Sequence, residues 1–312
     1  MKLKELVGCL GWVSAFLACT MWLPFLGPLA GLLTPLPFFY YSARLGMAQG
    51  GVLTLLVILI VGVGGNLLGS GRIVILAAEY GVLGYTLSML LSKDLSLAKT
   101  IAMATGVLAV VGGCTLLLMA GMKGLGVGEM LKAYLSEEFK ATIGAYREMG
   151  ILDATGEDLD AAVQAFVEIF SRLLPSLMLV GTGLVVWMNT VLARALIRIA
   201  RLPSGQTEPV SLWQAPEQLV WIVIAAGFGS FLAGGPLQWI ALNLLIVLGT
   251  VYFFQGLCIT IFFLDKYKVP TWARVGLYIL IAVQQLFLVV LALGGLFDQW
   301  IDFRKIHRKA GR

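Results

Sequence analysis

Histidine is nearly absent: His307 is the only one in 312 residues, and it lies in a basic tail. That removes the usual histidine-rich zinc sites and histidine-based acid–base catalysis. Paired cysteines are missing too. Cys9, Cys19, Cys114 and Cys258 fall inside apolar runs without paired spacing, and are read as small hydrophobes with no redox or metal role. No Walker motif, dinucleotide glycine pattern, paired catalytic carboxylates or nucleophile elbow occurs. The expectation is a protein that is not an enzyme and uses no metal or cofactor. Charge is scarce as well. Charged residues make up 12% of the chain, about half the usual share of a soluble domain. A soluble protein of this length cannot cover its surface with so few.

What is present is apolar sequence in long runs, with hydrophobic residues at 59%. A hydrocarbon core of about 30 Å needs roughly 20 helical residues to cross it. Runs of that kind begin near Leu6, Gly51, Ile73, Ala98, Leu174, Leu219, Leu237 and Val275. Backbone polar groups inside lipid must be satisfied within their own segment, so each run is helix. The ten-residue alternating strands of a β-barrel are missing. The fold class is therefore an all-α polytopic helical bundle of about eight spans, treated as a single membrane domain over residues 1–312. Lys2 and Lys4 precede the first run as in a signal peptide, but the chain stays apolar through Leu26, so an uncleaved first span is expected.

Topology turns on the stretch around residues 33–46, where Pro35 and Pro37 interrupt the helix pattern. With eight spans and a cytoplasmic amino terminus, Lys and Arg divide 13 inside against 9 outside. Five of the 13 belong to a long loop, which translocates regardless of charge. With nine spans, and the five loop residues left out, they divide 11 against 6, but the basic tail is left outside. Eight spans, both termini cytoplasmic and a partial crossing from Pro35 to Gly46 are the expectation, in the cytoplasmic membrane.

One sizeable polar insertion lies at residues 122–172. It carries nine acidic and five basic residues, net −4, against +9 for the rest of the chain. Met130, Leu131, Tyr134, Leu135, Phe139, Ile143 and Tyr146 recur at helical spacing. A second helix is expected from an N-cap at Thr155, with Leu159, Val163, Phe166 and Phe170 on one face. The spacing predicts two amphipathic helices, roughly Gly128 to Met149 and Glu157 to Arg172, joined by an exposed Gly150 to Gly156 link. They pack on the bundle or the membrane surface, or form a lid or docking platform for a protein partner. Glycine is abundant within the spans, and Gly65-Asn66-Leu67-Leu68-Gly69 is one of two GxxxG matches that imply close helix packing.

Glu79 stands near the middle of the run from Ile73 to Leu91. A charge at that depth costs roughly 3 kcal/mol on insertion scales. It therefore either faces a polar interior, a partner or a pathway, or stays protonated and hydrogen-bonds a neighbouring helix. Tyr80, Asn66, Asn189, Asn243, Gln255, Gln284 and Gln285 are the other polar groups at depth. Each is a candidate ligand or pathway contact, or else interhelical glue. The net charge of +5 is read as positive-inside anchoring rather than a nucleic-acid face.

The end of the last run reads Gly294-Gly295-Leu296-Phe297-Asp298-Gln299-Trp300-Ile301-Asp302-Phe303-Arg304-Lys305. Asp298 and Asp302 are four apart on a helix face, and Trp300 suits the headgroup level. The plain reading is an interface-anchored helix exit. Together with Thr34-Pro35-Leu36-Pro37 and Arg44-Leu45-Gly46, this ending resembles the YybS-like family of predicted bacterial membrane proteins. The resemblance marks Pro35, Pro37, Arg44, Gly46, Asp298, Asp302 and Arg304 as motif residues. The stretch from Pro35 to Gly51 is also distantly similar to substrate-binding components of energy-coupling factor vitamin transporters, over the part up to about Arg201. There a proline-bearing loop, a short helix and a Gly-rich helix follow the first span. The extra spans after Pro216 and the acidic insertion depart from that pattern. Two functions remain open: a transporter-like bundle that takes a small molecule in a midplane pocket, and a scaffold that recruits protein partners through its insertion and tail.

Overall fold

The computed structural model describes residues 2–23, 26–67, 69, 71–93, 95–149, 157–202 and 210–304. The helices are α1 (Leu3–Trp22), α2 (Gly27–Leu33), α3 (Pro35–Leu45), α4 (Met47–Leu67), α5 (Arg72–Leu91) and α6 (Leu97–Lys123). Then come α7 (Val127–Glu148), α8 (Glu157–Ala200), α9 (Gln218–Leu232), α10 (Pro236–Lys266), α11 (Thr271–Val283) and α12 (Gln285–Ile301). No strand occurs among the described residues. The protein is an all-α, multi-pass membrane protein.

All eight apolar runs are helical, but they are not eight alike. Among the described residues six helices are long and apolar enough to cross a bilayer: α1, α4, α5, α6, α8 and α10. The run from Leu219 is the 15-residue α9, roughly 22 Å long and short of the hydrocarbon thickness. The run from Val275 is broken. Gln284 is extended (φ −96°, ψ 105°), and α11 and α12 meet there at 102°. Counting that bent pair as one span gives seven.

The chain divides into two compact units: Met1–Met122 with Gly181–Glu208, and Lys123–Val180 with Pro209–Arg312. In the first unit α2 and α3 form a helix broken at Thr34, with prolines in the first turn of each piece. The pair retraces α1. A Cβ at Gly27 would lie 2.8 Å from the Thr20 carbonyl oxygen, one at Gly31 would lie 3.1 Å from Thr20 Oγ1, and the Tyr41 ring lies against Gly8. Thr20 to Gly8 is roughly 18 Å of helix rise. The expected partial crossing from Pro35 to Gly46 is thus corrected: the returning segment starts at Gly27 and follows α1 back towards its start. Sequence reading missed this because Pro35 and Pro37 look like breaks, whereas proline at a helix start has no partner to lose. Gly46 closes α3 at φ +80°, which favours glycine.

In the second unit, α7 matches the first predicted amphipathic helix closely. The second is not a separate helix but the opening of α8, which has 44 residues and is roughly 66 Å long. Phe139 meets Phe166 edge-on at 4.7 Å, and Phe166 stacks on Phe170 at 4.2 Å. The two stripes therefore pack on each other in part. Lys132 and Arg172 both pair with Glu168 at 2.6 Å. Tyr134, Tyr146 and Ile169 stay exposed. The Gly150 to Gly156 link, Thr155 and the tail beyond Arg304 lie outside the described residues.

Pro175 sits inside α8 without ending it. A proline removes a ladder hydrogen bond and crowds the preceding turn. Asn243 of α10 fills the gap. Its Oδ1 accepts from Ser176 N–H at 3.0 Å, and its Nδ2 donates to the Arg172 and Trp239 carbonyls at 2.8 Å. Arg172 and Ser176 are the i, i+4 pair that an unbroken helix joins directly. The amide has been inserted between them.

Candidate functional site

The first unit holds Glu79. Two glycines on α5 set its orientation. A Cβ at Gly81 would meet Ile58 Cδ1 at 2.7 Å, and one at Gly84 would collide with the Pro35 carbonyl and Phe38. That face of α5 is thus pressed against α3 and α4. Glu79 leaves the helix elsewhere, towards bare backbone on α6, where a Cβ at Gly112 would lie 3.9 Å from its Oε1. The residue is half-buried. Among the described residues nothing hydrogen-bonds or ion-pairs with its carboxyl group.

Its neighbour Tyr80 reaches α2, placing its hydroxyl 3.6 Å from the Cβ position of Gly31. Asn189 of α8 arrives at the next residue, donating Nδ2 to the Leu32 and Val185 carbonyls at 3.0 Å each. It is fully buried, and its Oδ1 has no partner among the described residues. So Tyr80, Asn189 and Thr20 converge on residues 31–32 of α2, with Glu79 beside Tyr80. Asn66 does not join them: it is exposed and makes no hydrogen bond to Glu79. Arg44 is likewise exposed, in the last turn of α3, whereas Pro35 and Pro37 are buried. Their roles are those of a helix start and a helix end.

The remaining amides belong to the second unit. Asn243 repairs α8 as described. Gln284 is exposed at the elbow between α11 and α12. Gln255 is fully buried: its Oε1 accepts from Ala215 N–H at 3.0 Å, and its Nε2 donates to Asp298 Oδ2 at 3.1 Å.

Asp298 is the centre of a buried network, in which Arg304 Nε has no acceptor among the described residues. Its carboxylate is fully buried and bonded to Arg304 at 2.7 Å, Gln255 at 3.1 Å and the Phe303 N–H at 3.0 Å. Arg304 is 4% exposed and also donates Nη1 to the Ser211 and Trp213 carbonyls at 2.8 and 2.9 Å. Gln299 ties in the same segment through the Ala215 carbonyl at 3.0 Å. The expected shared face of Asp298 and Asp302 is replaced by a hook. Asp302 ends α12 in the left-handed region (φ 49°), which turns Phe303 and Arg304 back onto Asp298. Trp300 is exposed, as an interface anchor requires. Below the hook α10 and α12 touch backbone to backbone, because a Cβ at Gly256 would collide with the Leu291 carbonyl and one at Gly295 with the Tyr252 carbonyl.

Sequence reasoning passed over one further residue. Arg194 on α8 enters the charge count only as a topology signal, yet its Nε and Nη2 are buried without an acceptor among the described residues. An arginine one turn before Arg198 at the end of an apolar run was the available sign.

Among the described residues no group of histidine, cysteine, aspartate and glutamate side chains has the arrangement to hold a metal ion. No curated protein and no solved structure matches the chain. A family model described as a predicted membrane protein (DUF2232) matches residues 13–299, nearly the whole chain. The chain belongs to that family of membrane proteins, DUF2232.

Proposed function

We propose that the protein is a non-enzymatic component of the cytoplasmic membrane whose first unit takes a small molecule carrying a cationic or hydrogen-bond-donating group. Glu79 receives that group, with Tyr80 beside it. One observation carries this reading: among the described residues Glu79 lies in mid-span without a hydrogen bond, while Asn243, Gln255 and Asp298 are all engaged. A carboxyl group left unmatched in a low-dielectric setting is expensive. A ligand or a transported proton supplies the missing partner. The kinship to the YybS-like family and the likeness to substrate-binding components of energy-coupling factor transporters are part of the same reading. The broken α2–α3 pair after the first span is what supports them.

The test uses a hydrophobic carbodiimide, which reacts with carboxyl groups inside membranes. Full-length protein in its native membrane should be labelled at Glu79, and extracts of small cationic metabolites should protect it. Labelling that no small molecule changes would end the ligand reading.

The scaffold reading keeps one observation in its favour. The α7–α8 hairpin is acidic and leaves Tyr134, Tyr146 and Ile169 exposed. A basic protein partner covering that face would leave carbodiimide labelling of Glu79 unaffected and protect hairpin amides from exchange.

A further inference from the structure

Among the described residues, two of the three guanidinium nitrogens of Arg194 are buried without an acceptor. Arginine does not deprotonate in proteins, so the charge stays. Buried donors without partners are uncommon and costly. Those two nitrogens therefore stay able to donate to acceptor oxygens.

The corner lies at one end of that unit. Leu90 and Leu91 from the end of α5, Leu95 before α6, and Ala193, Ile197 and Leu202 from the end of α8 share one apolar cluster. Tyr85, late in α5, donates its hydroxyl to the Met47 carbonyl at the start of α4, so the end of α3 lies here as well. Basic residues at this end include Arg44, Lys93, Lys99, Arg194, Arg198 and Arg201, together with Lys2 and Lys4 at the start of α1. Leu6 and Leu10 of α1 pack in one cluster with Tyr41 and Leu45, which brings Glu5 to the same end. Glu5 accepts from the Lys2 N–H at 3.0 Å. Asp94 and Glu208 lie outside the described residues.

Arg198 and Arg201 are exposed, with Arg201 turning the chain in the left-handed region (φ 51°). Arg194 is thus the inner member of a group whose outer members reach the surface. Inward donors with outward cations match a phosphate group approaching from the membrane surface. Guanidinium forks suit phosphate oxygens, and basic pockets between membrane helices suit anionic headgroups. We infer that Arg194, with Arg198, binds a phosphate-bearing anion at this end of the first unit. The inference is independent of Glu79.

Two sources offer that chemistry, an anionic phospholipid headgroup and free phosphate, and vesicles separate them. The full chain is reconstituted in phosphatidylcholine, with or without phosphatidylglycerol, at constant ionic strength, and thermal unfolding is followed. A rise in unfolding temperature with phosphatidylglycerol supports the lipid source. A rise in phosphatidylcholine alone on adding inorganic phosphate, with sulfate as a control, supports free phosphate. In either case Arg194→Gln should weaken the apparent affinity about tenfold or more. Arg194→Lys, which keeps the charge and loses the fork, should recover only part. Arg198→Gln, exposed and safe for folding, should weaken it less. No response to either anion, or one that Arg194→Gln and Arg198→Gln both leave unchanged, overturns the inference. So does a response to phosphatidylglycerol that appears only in Asp94→Asn, since Asp94 is then the native acceptor.

Discussion

Two carboxylic acids lie deep in this chain, and they are treated in opposite ways. Asp298 in the second unit is fully buried and carries three bonds, from an arginine, an amide and a backbone N–H. Glu79 in the first unit is half-buried and carries none among the described residues. A buried charge gains from pairing only when the geometry is good and the remaining lone pairs are satisfied. Three donors hold the Asp298 carboxylate, so it meets most of that condition, although Arg304 Nε is buried without an acceptor among the described residues. Glu79 fails it and has everything left over. The contrast separates an acid that holds a fold from one that waits for a partner, and substitution can test each side of it.

The largest effect is expected at the hook. Arg304→Ala leaves Asp298 as a buried charge without its cation, which should cost about 3–5 kcal/mol. Unfolding in detergent reads this directly, and a loss below about 1 kcal/mol would show that the network is not the anchor it resembles. Next is Gly295→Ala. Its new Cβ lands on the Tyr252 carbonyl, so α10 and α12 must separate, at about 1–3 kcal/mol. Asn243→Ala follows at about 1–2 kcal/mol, since it strands Ser176 N–H and the Arg172 carbonyl. A double-mutant cycle sharpens that figure. With Pro175→Ala the ladder can close on itself, and Asn243→Ala should then cost less.

Asn243 also shows what the sequence could and could not yield. The eight apolar runs were legible because length and composition alone demand helix in lipid. Pro175, by contrast, reads as a boundary, since proline breaks helices. The residue that overrules it comes from another helix, 67 positions beyond Ser176. Gln255 and Gln284 are the same type of residue, yet one is locked into the hook and the other exposed at a bend. No local feature tells them apart. Glu79 was legible because it is alone in its run, a property of the sequence itself. Asp298 was flagged through a motif resemblance, but its burial depends on Asp302 reversing the chain, a tertiary outcome. Arg194 was visible as a charge and invisible as a buried one.

The smallest expected effect is the most telling. Glu79→Gln removes the charge and keeps the shape, and the described surroundings contain no hydrogen bond for it to lose. Stability should therefore fall by no more than about 0.5 kcal/mol, and any larger change should be a gain, because an unmatched charge has been removed. Asp298→Asn is the matched control. It keeps the shape of a side chain whose charge is paired with Arg304, so it should weaken unfolding resistance by a clearly larger amount, about 2 kcal/mol or more. Both variants are measured by unfolding in the same detergent, alongside carbodiimide labelling. If Glu79→Gln is as damaging as Asp298→Asn, then Glu79 is a structural acid with a partner in the membrane-embedded protein, and the ligand reading loses its basis. If it is neutral and abolishes labelling, the carboxyl group is spare in the resting protein, which is what a binding site for a cation or a proton requires.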